Sequence, residues 1–472
     1  MEISDMGQGL IFVLGVMLPI LIVRWINDVV RYKKKRLPPG TMGWPVIGQT
    51  FNFMKEGPDF MKNRRKLYGD LFKTHILGCP TVVCMDPDIN KQILNSESKG
   101  FIPGYPQAML DILGEWNTAA VHGAPHKAMR GVLLSLVSPP MIRDHLLPKI
   151  DAFMKSFLAG MGGEVVDIQA KTKEMALLSS LKQIASIEGG PLAQSLKTEL
   201  YQLALGTLSL PINFPGSNYR RGLQARRRLV GMLREMIEER RASQISYNDM
   251  LDNLLNSDES TKLKLTDDQI IDLIITLIYS GYETMSTTSM MAIKYLHDHP
   301  RALLELRREN LEIRKGKPAD YTINYNDYKS MIFTRAVVYE TLRMATVVNG
   351  LLRKLTQDVE LKGFVIPKGW RIYVYTREIN YNPETYSRSL QFNPWRWLEN
   401  NLESHQHFML FGSGTRLCPG KEVGTVEICT FLHYMVTRYW WKEVGKNNIM
   451  KFPRVQAPNG LHFKLTEYEQ FE

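Results

Sequence analysis

Cys418 stands in the run Phe411-Gly412-Ser413-Gly414-Thr415-Arg416-Leu417-Cys418-Pro419-Gly420. The three glycines let the backbone turn tightly and come close to a bulky planar group. Pro419 suits the first turn of a helix, and residues 422–439 continue with helical apolar spacing. Cys418 is therefore expected at a helix amino terminus, where the dipole and unpaired N–H groups favour a thiolate. Such a thiolate is a metal ligand; on haem iron it pushes electron density that promotes O–O cleavage. The competing reading is a glycine-rich turn around a buried structural cysteine. His405 and His407 also allow a His-x-His plus Cys metal site, although no fourth ligand is obvious.

A second chemistry-bearing segment is Ser280-Gly281-Tyr282-Glu283-Thr284, at the centre of an apolar stretch from Thr266 to His297. Thr266-Asp267-Asp268-Gln269 has the form of a capping box, and Pro300 marks the far end. A helix over this stretch would run about 45–50 Å, enough to cross a domain. A glycine and an acid–alcohol pair inside a buried helix are costly unless they have partners or a task. Glu340 and Arg343 share one helical face at i, i+3, ordinarily a surface ion pair of little worth, and Arg396 follows in the aromatic loop Phe392–Trp397.

These groups need a large frame. The chain has 472 residues, 44% hydrophobic and 23% charged, which fits a globular protein and not a disordered or fibrous one. The net charge of +11 favours acidic partners or anionic lipid. The basic residues are spread along the chain without a recognition module, so nucleic acid is not an expected partner. Four cysteines, unevenly placed, make no disulfide framework and point to a reducing compartment.

Gly9 to Val23 is almost wholly apolar and is followed by the basic run Arg31–Arg36. Charges after the apolar core describe a signal anchor, not a cleaved leader, and place the remainder of the chain in the cytosol. The alternative is a buried core helix. Leu37-Pro38-Pro39-Gly40 and Gly43-Trp44-Pro45 form a stiff connector. Leu71–Met85 reads as a hairpin turning at Gly78-Cys79-Pro80, and Val359–Tyr375 as a second strand region. Residues 148–158, 175–187 and 222–244 have helical spacing. The expected fold is mainly α with a small β component: an anchor over residues 1–30, a basic and proline-rich hinge over 31–45, and one large domain over 46–472.

The pattern F-x-x-G-x-R-x-C-x-G at 411–420 resembles the signature of the cytochrome P450 superfamily. That resemblance implies the cytochrome P450 fold and haem b, with Cys418 as the axial iron ligand and Phe411 in its loop. It implies that Glu283 and Thr284 deliver protons to iron-bound dioxygen from a distorted helix. By the same resemblance Glu340, Arg343 and Arg396 form a buried bracing triad, and His126, Arg130, Arg353 and Arg416 hold the haem propionates. The stretches 37–50, 104–114, 210–219, 279–300, 347–360, 366–381 and 392–399 are similar to a plant group, the brassinosteroid C-6 oxidases. Ser413, the 186–188 region and the 382–390 region depart from it.

The plant group implies oxidation of a 6-deoxo brassinosteroid such as 6-deoxocastasterone at C-6: hydroxylation, then a second oxidation through a gem-diol that loses water, giving castasterone. It also implies O2, electrons from NADPH–cytochrome P450 reductase, and a single-pass anchor in the endoplasmic reticulum membrane with the catalytic domain in the cytosol. A basic surface around Lys421 would suit the acidic reductase. Pocket segments are 101–113, 210–219, 347–351 and 457–461, with Phe101, Val347 and Asn349 as substrate contacts; Asn349 could instead cap a turn. A haem-thiolate isomerase or dehydratase would not need Glu283-Thr284. A catalytically silent steroid-binding membrane protein would not need Cys418 either.

Overall fold

Short β-branched runs interrupted by glycine favour paired strands. In the computed structural model, which describes residues 19, 22, 23, 26 and 36–468 other than 46, 244, 257–264 and 319, Leu71–Ile76 pairs antiparallel with Cys79–Cys84. Leu77 and Gly78, at φ 52° and 72°, form the turn. Cys79 and Pro80 therefore belong to the second strand and not to the turn, because positive φ at both turn centres already matches the strand twist. Apart from residues 19, 22, 23 and 26, the expected anchor lies outside the described residues. No helix among those described is long and apolar enough to cross a membrane.

The chain divides into two compact units, 1–104 with 349–379, and 105–348 with 380–472. In the first, a five-stranded sheet runs in the order Leu71–Ile76, Cys79–Cys84, Arg371–Val374, Leu351–Leu355, Phe101–Pro103. The region expected as one strand zone from 359 to 375 is split. Val359–Leu361 and Phe364–Ile366 make their own hairpin, turning at Lys362-Gly363, and only Arg371–Val374 enters the larger sheet. Leu351–Leu355 is a further strand, so Arg353 sits within the sheet and not ahead of it.

The second unit is helical. We label α1 Gly123–Leu136, α2 Ile168–Ala185, α3 Gly190–Thr207, α4 Asn218–Ala242, α5 Asp267–Asp298, α6 Ile332–Ala345 and α7 Lys421–Arg438. The helix expected over 148–158 runs Leu147–Phe157. Helix α2 begins earlier than its apolar spacing indicated and ends at Ser186, which is left-handed. Helix α5 has 32 residues and spans about 48 Å. It opens on the expected capping box: Gln269 N–H donates to Thr266 Oγ1 and Thr266 N–H to Gln269 Oε1. Its apolar sides pack against α2, α6 and α7, which explains why it is hydrophobic nearly all round. A three-stranded sheet of Val165–Asp167, His462–Glu467 and Tyr439–Glu443 completes this unit with the Met450–Lys451 and Val455–Gln456 hairpin.

One buried acid in this core gives a pH prediction. Glu427 on α7 accepts from Gln183 Nε2 of α2 at 3.0 Å, and burial raises its carboxyl to about 7. A raised carboxyl leaves stability intact below its unfolded value; the cost grows from there to the folded value and levels off above it. Glu427→Gln is therefore expected to gain roughly 3 kcal/mol over the parent at pH 8 and nothing at pH 4. Denaturant unfolding at the two pH values checks this; equal stability differences at both would refute it.

Candidate active site

The cysteine loop is shaped by Gly412 and Gly414, at φ 79° and 72°, on either side of an extended Ser413. Cys418 N–H donates to the Phe411 carbonyl at 2.9 Å, closing the loop. Gly420 is the N-cap of α7, so Pro419 precedes the cap and does not occupy the first turn as expected. The cysteine still benefits, because the Gly420 N–H reaches its sulfur. A Cβ added at Gly420 would come 3.9 Å from Sγ, an ordinary contact. Cys418 is solvent-accessible although protein surrounds most of it, as befits an inner wall. Burial raises its thiol, while the Gly420 N–H and the Arg130 charge pull the other way. A bound metal cation is what deprotonates a coordinating thiol outright.

Cationic side chains lie against the loop. Arg130 Nη2, on α1, donates to the Leu417 carbonyl at 2.7 Å. Arg416 donates to the Thr118 and Val121 carbonyls at 2.8 and 2.5 Å. His126 is buried one turn before Arg130 on α1. Arg353 is buried in the sheet of the first unit, where its Nη1 donates to the Leu352 carbonyl. Lys421 is partly covered and partly exposed. Its ammonium lies 5.9, 5.2 and 5.6 Å from the rings of Tyr339, Phe408 and Phe411 and 3.4 Å from Glu403.

Helix α5 runs unbroken through 280–284, without the distortion the resemblance implied. Ser280 and Thr284 are exposed, whereas residues 270–276 and 285–293 are buried. An accessible arc in the middle of a buried helix is an inner wall. Thr284 Oγ1 donates to the Ser280 carbonyl at 2.7 Å, which satisfies the hydroxyl inside the helix. Gly281 permits close packing: an added Cβ would lie 3.0 Å from Ser180 Oγ on α2. Glu283 Oε1 lies 3.2 Å from Arg454 Nη1, a partner with no signal in the sequence.

Glu340, Arg343 and Arg396 meet in full burial. Glu340 takes Arg343 Nη2 and Nε at 2.8 and 2.9 Å and Arg396 Nε at 3.1 Å. Asn393 N–H and Trp397 Nε1 add bonds of 2.8 and 2.9 Å, both missed from the sequence. Arg343 Nη1 also donates to the Asn380 and Ser389 carbonyls at 2.7 and 2.6 Å, binding the 380–396 loop region to α6.

Other sequence candidates are placed differently. Among the described residues, potential metal ligands converge at His297, Asp298 and Glu443, not at Cys418 with His405 and His407. Even there Lys294 Nζ stands 2.8 Å from Asp298 and 2.7 Å from Glu443, taking the position of a cation. Phe101 is a buried strand residue and Val347 a half-buried one beside the core. Asn349 Oδ1 accepts from Arg377 Nη1 at 3.1 Å and its carbonyl from the Thr376 and Arg377 N–H groups. That is the turn-bracing alternative, in place of a polar group turned to a ligand.

A sulfur with one N–H donor, glycines that let the loop pass flat, and adjacent arginines fit haem held through cysteine. The sequence profile of the cytochrome P450 family matches residues 38–464, and the chain belongs to that family of haem-thiolate enzymes. It is 67% identical over 454 residues to Cytochrome P450 85A1 of Brachypodium distachyon, covering 96% of this chain and 97% of the relative. A more distant relative, 3-epi-6-deoxocathasterone 23-monooxygenase CYP90C1 of Arabidopsis thaliana, is 34% identical over 92% of this chain and 85% of its own. The solved structure of retinoic acid-bound cyanobacterial CYP120A1 aligns with a TM-score of 0.84 at 25% identity, over 92% of this chain and all of the other.

Proposed function

We propose that the protein is a brassinosteroid C-6 oxidase, converting 6-deoxocastasterone to castasterone through the 6-hydroxy intermediate. The observation that carries the chemistry is the accessible Cys418, with the Gly420 N–H on its sulfur, on the segment that leads into α7 where α5 packs. Cys418 would hold the haem iron through its sulfur, and His126, Arg130, Arg353 and Arg416 would hold the propionates. The haem supplies oxygen activation. The steroid rests on similarity: the 85A relative over nearly the whole chain, the quoted plant-group segments, and a more distant relative named for a 6-deoxo steroid.

The residues of the chain divide the remaining work. The glycine-shaped loop presents the sulfur, and its N–H donor steadies negative charge there. Thr284, accessible at mid-helix, keeps its oxygen lone pairs open while its O–H donates to Ser280, so it can accept from a proton-carrying group and orient it, and it gives its own proton only by leaving Ser280. Glu283 supplies the acid beside it. The apolar flanks of α5 keep bulk water from the proton path. Phe101 and Val347 remain proposed substrate contacts, and the braced Asn349 would act through its turn. The partners are O2, NADPH–cytochrome P450 reductase and the endoplasmic reticulum membrane. That anchorage rests on the apolar segment 9–23 and the basic run 31–36.

The purified holoprotein should give the red-shifted Soret band of a thiolate-ligated haem when reduced under carbon monoxide. 6-Deoxocastasterone should shift its spin state and, with reductase, yield castasterone. A normal thiolate band without any response to the steroid would discard the substrate. Thr284→Ala is expected to lower product per NADPH at least about tenfold while peroxide rises, as for loss of a proton-transfer group. Unchanged coupling would remove Thr284 from the relay.

A further inference from the structure

Arg454 lies in the turn between Met450–Lys451 and Val455–Gln456, 171 residues from Glu283 in sequence. Its guanidinium nevertheless reaches the centre of α5 and the end of α3 together. Nη1 donates to Glu283 Oε1 at 3.2 Å. Nη2 donates to the Ala204 carbonyl at 2.6 Å and contacts Thr207 Oγ1 at 3.4 Å. Thr207 Oγ1 also meets the Tyr279 hydroxyl at 3.1 Å, one turn before Glu283. Ala204 is among the last four residues of α3, whose carbonyls lack helical partners, so the arginine acts as a cationic cap there. Two nitrogens of one rigid, planar fork thus serve two elements, which a lysine could do only in part.

We propose that Arg454 is the positioning residue for Glu283, fixing the direction of its carboxylate and tying it to the carboxy-terminal turn of α3. The inference rests on the reading of Glu283 and Thr284 as the acid–alcohol pair. A glutamate left to itself samples several rotamers, only some of which direct its carboxylate toward the end of α3. The fork selects one of them, and it does so through a contact that depends on where α3 ends.

The test uses the full chain with haem, an NADPH-dependent reductase and 6-deoxocastasterone, and reads product and peroxide per NADPH. Arg454→Gln is expected to lower coupling about tenfold, the scale of loss that a misplaced group causes. Arg454→Lys should recover part of it. The Glu283→Gln, Arg454→Gln double variant should couple no worse than Glu283→Gln alone. Hydrogen exchange in the substrate-free protein supplies a readout independent of turnover: amides 206–210 should lose protection in Arg454→Gln and keep it in Glu283→Gln. Wild-type coupling in Arg454→Gln alongside poor coupling in Glu283→Gln would overturn the proposal and leave the relay standing. Unchanged coupling in Glu283→Gln would overturn the relay and the proposal with it. Additive losses in the double variant would also overturn the positioning role. Should Arg454→Gln not fold, Arg454→Lys carries the same cycle, with full additivity to Glu283→Gln as the refuting result.

Discussion

Cys418→Ala is expected to abolish steroid oxidation, a loss beyond about a thousandfold, and to remove the thiolate Soret signature entirely. The side chain is the one sulfur on the accessible loop; Cys429 and Cys84 are buried and Cys79 belongs to the first unit. Burial raises the Cys418 thiol, so its ionised form depends on the iron, and the iron's electronic character depends on the sulfur. The matched control is Cys429→Ala. That residue is a fully buried member of the core on α7, and its replacement should cost roughly 1 kcal/mol of stability with the spectrum intact. Carbon monoxide difference spectra and haem-to-protein ratios of the two variants decide the matter. A thiolate band in Cys418→Ala, or its loss in well-folded Cys429→Ala, would reverse the assignment.

Glu340→Gln is the second large effect, and it acts on the fold. The carboxylate accepts from two buried guanidinium groups, an indole and a backbone N–H, so replacing it strands Arg343 and Arg396 as charges inside the core. Breaking one partner of such a buried pair costs about 3–5 kcal/mol, a large part of the 5–15 kcal/mol that holds a typical protein together. Little folded haem protein should be recovered. Arg343→Lys is expected to fare scarcely better, since an ammonium cannot fork to Glu340 while also reaching the Asn380 and Ser389 carbonyls. Denaturant midpoints of whatever folds provide the measure. An unchanged midpoint for Glu340→Gln would show the network to be dispensable.

The legible features were those written in local spacing. The capping box at Thr266–Gln269, the apolar run behind it and the glycines of the cysteine loop each depend on residues within a turn or two. The hairpin after Leu71 was legible as well, but its turn was misplaced by one or two residues, because Leu77 adopts a left-handed conformation that leucine rarely takes. The packing of Lys421 over aromatic rings was hidden, since Tyr339, Phe408 and Phe411 come from separate segments. The same holds for Asn349, whose partner Arg377 is 28 residues away.

By itself, then, the sequence pointed to Cys418 as the proposed iron ligand and determined the class of enzyme and the long helix, because loop, cap and periodicity are local and their physics acts over a few residues. Tertiary structure alone decided how Cys418 is presented: an accessible sulfur whose thiol burial raises, in a loop closed by its own N–H to Phe411 and flanked by Arg130. It alone decided that Glu340 gathers Trp397 and Asn393 with its arginines, and that Glu283 answers to Arg454. Such pairings join residues tens to hundreds of positions apart, and only the packing of one element against another brings their charges within bonding distance.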